Sequence, residues 1–267
     1  MNEGVIPLSV FDLALAASLV LVAGLTSLAL RLGLGRRLLV ASLRTIVQLV
    51  GVGYLLRWVF AIEHVFALFA VLLVMIAAAS KAAVDRSSRR FEGALFGAFG
   101  TLVLVGLITT FSVTSVVIGV QPWHRAQYVI PLLGMVLGNG LTGISLALDS
   151  LLGSFDEGRE RVEMELSLGA SRWEAARDPL AEAVRRGMIP ILNAMSVVGI
   201  VSLPGMMTGQ ILAGADPLDA VRYQIVVMFM LAAATSVGCV GVTLYAFRRL
   251  FDDEHRLRGE RIVRTPS

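Results

Sequence analysis

From Leu13 to Leu30 the chain carries no charged side chain. Six more stretches are nearly as apolar: Leu38–Leu56, Val65–Ser80, Gly93–Gln121, Ala126–Leu148, Gly187–Ala215 and Tyr223–Phe247, with Arg44 the one charge among them. A helix needs about 20 apolar residues to cross the hydrocarbon core of a bilayer. The reading is therefore an all-α, polytopic membrane protein of about seven transmembrane helices. Charged residues make up 16% of the chain, against about 25% in soluble domains.

The charges that remain set an orientation. Nineteen Lys and Arg residues fall in the first, third and fifth connections and the tail after Phe247, while the other connections hold only Arg57, Arg125 and Arg222. Basic connections stay in the cytoplasm, which predicts the N-terminus outside and the C-terminus in the cytoplasm. The same distribution makes the arginines topological signals rather than a nucleic-acid footprint. The opening MNEGVIPLSVFD has no positive n-region, so no cleaved signal peptide is expected.

Several functions are excluded. Lys81 is the only lysine and follows Ser80, so the Gly-Lys-Ser/Thr of a P-loop is absent and ATP must be used, if at all, by another subunit. The last span has no lysine for a retinal Schiff base. Cys239 is the only cysteine, which rules out an intrachain disulfide and a cysteine metal site. His64 and His124 sit at the outer boundary and His255 in the tail, so no metal-ligand spacing is visible and the metal site is unknown.

The longest polar stretch, residues 153–187, parses as a handle. Glu157 to Leu168 is rich in helix formers, Gly169 suits a helix C-terminus, and Ser171-Arg-Trp-Glu174 is a capping box. Asp178-Pro179 predicts a further helix start that leads into the sixth span. That span contains Pro190 and Pro204-Gly205, so a broken helix is expected, which membranes tolerate where protein or water satisfies the freed groups. Asp216-Pro217 reads as the cap and first residue of the last helix.

Candidate path residues follow. Leu203–Gln210, with Pro204, Gly205, Met206, Met207 and Gln210, reads either as a gate or as a kinked helix with a Gly205-xxx-Gly209 packing seam. The methionines are soft ligands suited to Cu(I) or else adaptable packing. Met135, Asn139, Thr142, Ser145 and Asp149 form a polar stripe on the fifth span, facing a conduit or another helix. Arg44 and Gln48 share one face of the second span; Arg44 snorkels to the boundary or meets a substrate.

The spacing Glu163-x5-Gly169-Ala-Ser-x-Trp173 resembles the cytoplasmic coupling loop of ABC-transporter permeases, with Met164-Glu165 in place of Ala-Ala. Val201-Ser-Leu-Pro-Gly-Met-Met-Thr-Gly209, Ala213-Gly-x-Asp-Pro217, Tyr223-Gln-Ile225, Arg44-Thr-x-x-Gln48 and Gly138-Asn139 resemble the FetB/YbbM family. These are small permeases of bacterial iron-export ABC transporters, related to plant aluminium-tolerance membrane subunits. The resemblance implies one permease domain over residues 1–267, a homodimer in the bacterial inner membrane and no enzymatic activity of its own. It also implies a separate cytoplasmic ATPase that binds ATP and Mg and docks on Glu163, Glu165, Gly169, Ala170, Ser171 and Trp173. The alternatives are a secondary transporter or channel without an ATPase, and a membrane scaffold or sensor that docks a soluble partner.

Overall fold

The computed structural model describes residues 9–264 apart from Glu63 and Asp253. In chain order its elements are α1 (Val10–Ala29), α2 (Gly35–Ile62), α3 (Val65–Asp85), β1 (Arg89–Phe91) and α4 (Ala94–Ser112), which a π-helical turn, Val113–Val117, prolongs. Then come α5 (Ala126–Glu157), α6 (Arg159–Ser167), α7 (Arg172–Val197), α8 (Gly205–Leu212), α9 (Pro217–Leu250) and β2 (Ile262–Arg264). Among the described residues, six helices are long and apolar enough to cross a membrane: α1, α2, α3, α4 with its π-turn, α5 and α9.

The seventh expected span is built differently. Gly187–Ala215 is not one helix: α7 ends at Val197, the chain turns through Gly199 at a φ of 84°, and α8 starts after Pro204. The Gly199 N–H donates to the Ser202 carbonyl at 2.9 Å, closing the turn. The break at Pro204-Gly205 is as the sequence predicts.

Asp178-Pro179 starts no helix, however, because both residues lie inside α7, as does Pro190. Pro179 leaves the Ala175 carbonyl without its helical donor, but Leu180, Ala183 and Gly187 bury one face of α7 and hold the helix through it. Packing here overrides a local stop signal. The Thr/Ser-rich run at the end of α4 also stays helical, its Thr109, Thr114 and Ser115 hydroxyls donating to carbonyls four residues back.

α5 is the hub. It packs against α3, α4, α7 and α9, burying Leu133, Ile144, Leu148, Leu151 and Phe155. Small residues allow its closest approach. A Cβ on Gly187 of α7 would lie 2.6 Å from Cys239 Sγ of α9 and 2.8 Å from the Gly143 carbonyl oxygen of α5. α1 and α2 stand apart as a hairpin; α2 joins the core only near its end, through Leu56, Val59 and Phe60. Their exposed leucines, valines and isoleucines are what a lipid-facing surface presents.

Three arginine-rich connections meet at one end of the bundle. β1, from the α3–α4 connection, pairs antiparallel with β2 of the tail in the register Arg90↔Val263. The Asp156 carboxylate at the end of α5 accepts from Arg89 Nε and Arg264 Nε, both at 2.9 Å. The tail also reaches the handle: the Arg172 N–H donates to His255 Nδ1 at 3.0 Å.

Candidate functional site

The handle is α6, a glycine turn and the start of α7. Two i,i+4 pairs brace α6, Arg159–Glu163 at 2.6 Å and Arg161–Glu165 at 3.2 Å, while Val162 anchors it in the core. Gly169 then takes a φ of 96°, which glycine adopts without strain. Its N–H and that of Ala170 cap the carbonyls of Leu166 and Glu165. The expected capping box forms: Glu174 N–H donates to Ser171 Oγ at 3.3 Å, and Glu174 Oε2 accepts from the Ser171 N–H at 2.8 Å. Those backbone and side-chain bonds from Ser171 hold the Glu174 carboxyl below its ordinary range.

Glu163, Gly169, Ala170, Ser171 and Trp173 therefore sit around one turn, and Glu163, Gly169 and Trp173 are exposed. Trp173 meets Phe247 of α9 edge-on at 5.6 Å, which ties the turn to the end of a membrane helix. Met164 and Leu168, absent from the sequence-based set, add exposed apolar area beside it, Leu168 at 81% exposure. An unpaired apolar side chain in a charged helix was the signal that would have found them. Glu165 turns the other way, into a cleft of about 560 Å³ between α5, α6 and α7.

That cleft mixes apolar walls, Val162, Ala175 and Pro179, with charged ones. Its charged groups are Asp149, Glu157, Glu165, Asp178 and Glu182 against Arg89, Arg161 and Arg186. Arg186 Nε bonds Glu182 at 2.9 Å and draws its carboxyl below the usual range. Asp149 accepts from the Ser88 N–H at 2.8 Å and from Ser88 Oγ at 2.6 Å, pinning the turn after α3. Two others of its stripe bond within their own helix, Asn139 Nδ2 to the Met135 carbonyl at 3.0 Å and Thr142 Oγ1 to the Gly138 carbonyl at 3.1 Å. Ser145 is buried.

The other path candidates divide. Pro204, Gly205, Met206, Met207 and Gln210 come together at the break and along α8, which leans on α9. Met206 packs onto a second core cluster that also gathers Met135, Met188, Met195, Met228 and Met230. Gln210 Oε1 and, on α9, Gln224 Oε1 are buried without a hydrogen-bond partner among the described residues. Arg44 and Gln48 are not with them; both are exposed on the outlying α2. Among the described residues no three His, Cys, Asp or Glu side chains gather as a metal site.

Comparison with known proteins agrees with this architecture. The model of an uncharacterised protein family, UPF0014, matches residues 10–251. The UPF0014 membrane protein slr1647 of Synechocystis sp. is 39% identical over 230 residues, 85% of this chain and 87% of that one. The probable iron export permease protein FetB of Escherichia coli is 32% identical over 247 residues, 92% and 93% of the two chains. Protein ALUMINUM SENSITIVE 3 of Arabidopsis thaliana is 30% identical over 245 residues, 92% and 88%. No solved structure matches. With its apolar helices and a family match over nearly its whole length, the chain belongs to UPF0014, a family of multi-pass membrane proteins.

Proposed function

We propose that this chain is the permease subunit of an ABC transporter, a homodimer driven by a separate cytoplasmic ATPase that binds ATP and Mg, and that it exports a metal ion, iron by its likeness to FetB. One observation carries the reading. α7 runs unbroken from the exposed capped turn at Ser171 to the break after Val197. Its 26 residues make a rod of about 39 Å. A push on the turn by a docked partner is passed along this rod to α8, where the path candidates Pro204, Gly205, Met206, Met207 and Gln210 lie. The docking set is Glu163, Gly169, Ala170, Ser171 and Trp173, with Met164 and Leu168 as added apolar contacts and Glu165 bracing α6 from within. Exposed Ile200, Val201 and Leu203 beside the break support a second copy at that face.

A detergent pull-down with the candidate ATPase tests this, comparing wild type with Glu163→Ala/Gly169→Arg. Capture by wild type and loss in the variant support the reading. Wild type that purifies alone under gentle conditions overturns it and favours a transporter without an ATPase.

A further inference from the structure

The cleft between α5, α6 and α7 holds groups that the docking set at the turn does not use. Four of its five carboxylates have close partners. Asp149 accepts from Ser88, Glu157 from Arg89, Glu165 from Arg161 at 3.2 Å and Glu182 from Arg186 at 2.9 Å, with Arg185 a further contact at 3.5 Å. Arg89 is itself divided between Glu157 and Asp156. Asp178 has only Arg161, at 3.7 Å, a guanidinium already bonded to Glu165. That is an ion contact without a hydrogen bond.

Two further acceptors line the same cleft. Ser150 is 9% exposed, and its Oγ has no hydrogen-bond partner among the described residues. Other buried helical hydroxyls of this chain, those of Ser80, Thr114 and Thr243, donate to the carbonyl four residues back. Ser150 makes no such bond, so its hydroxyl is left for a group that enters the cleft. The second acceptor is the Ala175 carbonyl, because Pro179 one turn on has no N–H to give it.

A carboxylate without a hydrogen bond, an unbonded hydroxyl and a carbonyl short of its donor call for a cation rich in donors. No three of the carboxylates gather as a metal site among the described residues, which leaves an organic cation. A planar guanidinium pairs best with the edge of one carboxylate. Acceptors from three residues suit the compact ammonium, with three donors on a flexible stem. This chain does not fill the cleft itself, since Lys81 is its only lysine and is not in the lining. α6 sets the cleft beside the docking turn: Glu163 and Met164 are exposed on it, while Val162 and Glu165 form a cleft wall.

We propose that the cleft receives a lysine side chain of the cytoplasmic ATPase, its ammonium held by Asp178, Ser150 Oγ and the Ala175 carbonyl. The proposal rests on the reading of the turn as the docking site and adds a second anchor to it.

The test treats the full chain in detergent, with the candidate ATPase bound, with a carbodiimide, which joins a carboxylate to an adjacent lysine as an amide. Peptide mass spectrometry should find Asp178, Glu165 or Glu182 joined to a lysine of the ATPase. With Lys81 the one lysine here, a link to any other is intermolecular. Asp178→Asn and Ser150→Ala should each weaken capture of the ATPase about tenfold, and Asp178→Asn should also flatten its dependence on salt. Ser150→Ala removes an unbonded hydroxyl, so the unfolding temperature of the isolated chain should not fall, which separates lost capture from lost folding. Capture by wild type, with variants that bind like it and no such link, would overturn the lysine site and leave the docking turn standing. No capture even by wild type would overturn both. Weakened capture with no link to lysine, or a link to Lys81 of a second copy, would overturn the assignment to an ATPase lysine.

Discussion

At the crossing of α5, α7 and α9 there is no space for one methyl group. A Cβ on Gly187 would meet the Gly143 backbone oxygen at 2.8 Å, and a backbone cannot swing aside as a side-chain tip can. Gly187→Leu is expected to destabilise by about 1–3 kcal/mol or more, read as a lowered unfolding temperature in detergent. Gly205→Ala, with nothing within 4 Å of its Cβ, should stay within about 1 kcal/mol of wild type. A second residue-scale effect depends on pH. Because the bonds from Ser171 lower the Glu174 carboxyl, the capping box contributes fully above the ordinary carboxylate range and is lost as pH falls through the lowered value. Unfolding temperatures of wild type and Glu174→Gln should therefore differ at neutral pH and converge below about pH 4. Equal unfolding temperatures at neutral pH would remove the Glu174 carboxylate from the cap.

At the scale of elements, the proposed coupling through α7 requires that the helix stay continuous. Two glycines inserted after Glu182 would cost about 1 kcal/mol each in helix propensity and make a soft joint between turn and break. The expected outcome in reconstituted vesicles is an ATPase that still docks and hydrolyses ATP while flux collapses; undiminished flux would show that α7 transmits nothing. The start of this helix was legible from sequence because caps are local, Ser171 and Glu174 being three residues apart and Gly169 just before them. Its continuity was not. Pro179 is a stop signal in isolation, and the buried contacts of Leu180 and Ala183 that override it come from the remote α5. The polar stripe shows the same limit. Spacing placed Asn139 and Asp149 on one helix, but only three dimensions reveal that Asn139 bonds its own turn and that Asp149 holds Ser88. Arg44 and Gln48 stand one turn apart on α2, yet nothing in their spacing foretells that α2 stands outside the bundle.

For the molecule as a whole, the proposed homodimer is open to test at its uncovered faces. Cys239 is buried, so it is shielded from oxidative cross-linking and the wild-type chain serves as the background. In that background Ile200→Cys, at 89% exposure beside the break, is expected to give an oxidised species of twice 28.6 kDa in membranes. Phe66→Cys, exposed at the start of α3, should remain monomeric. The reverse pattern would move the dimer face away from the break. The β1–β2 ribbon joins a connection from the first half of the chain to residues 262–264. A ribosome makes these partners far apart in time, so α4, α5 and α9 are all synthesised before the ribbon closes. Until then Arg89 can hold Asp156, but Arg264 cannot reach it. A chain stopped short of residue 262 would carry its membrane helices and still show an open strand edge at the α3–α4 connection, a mark by which a protease can tell an unfinished molecule from a finished one.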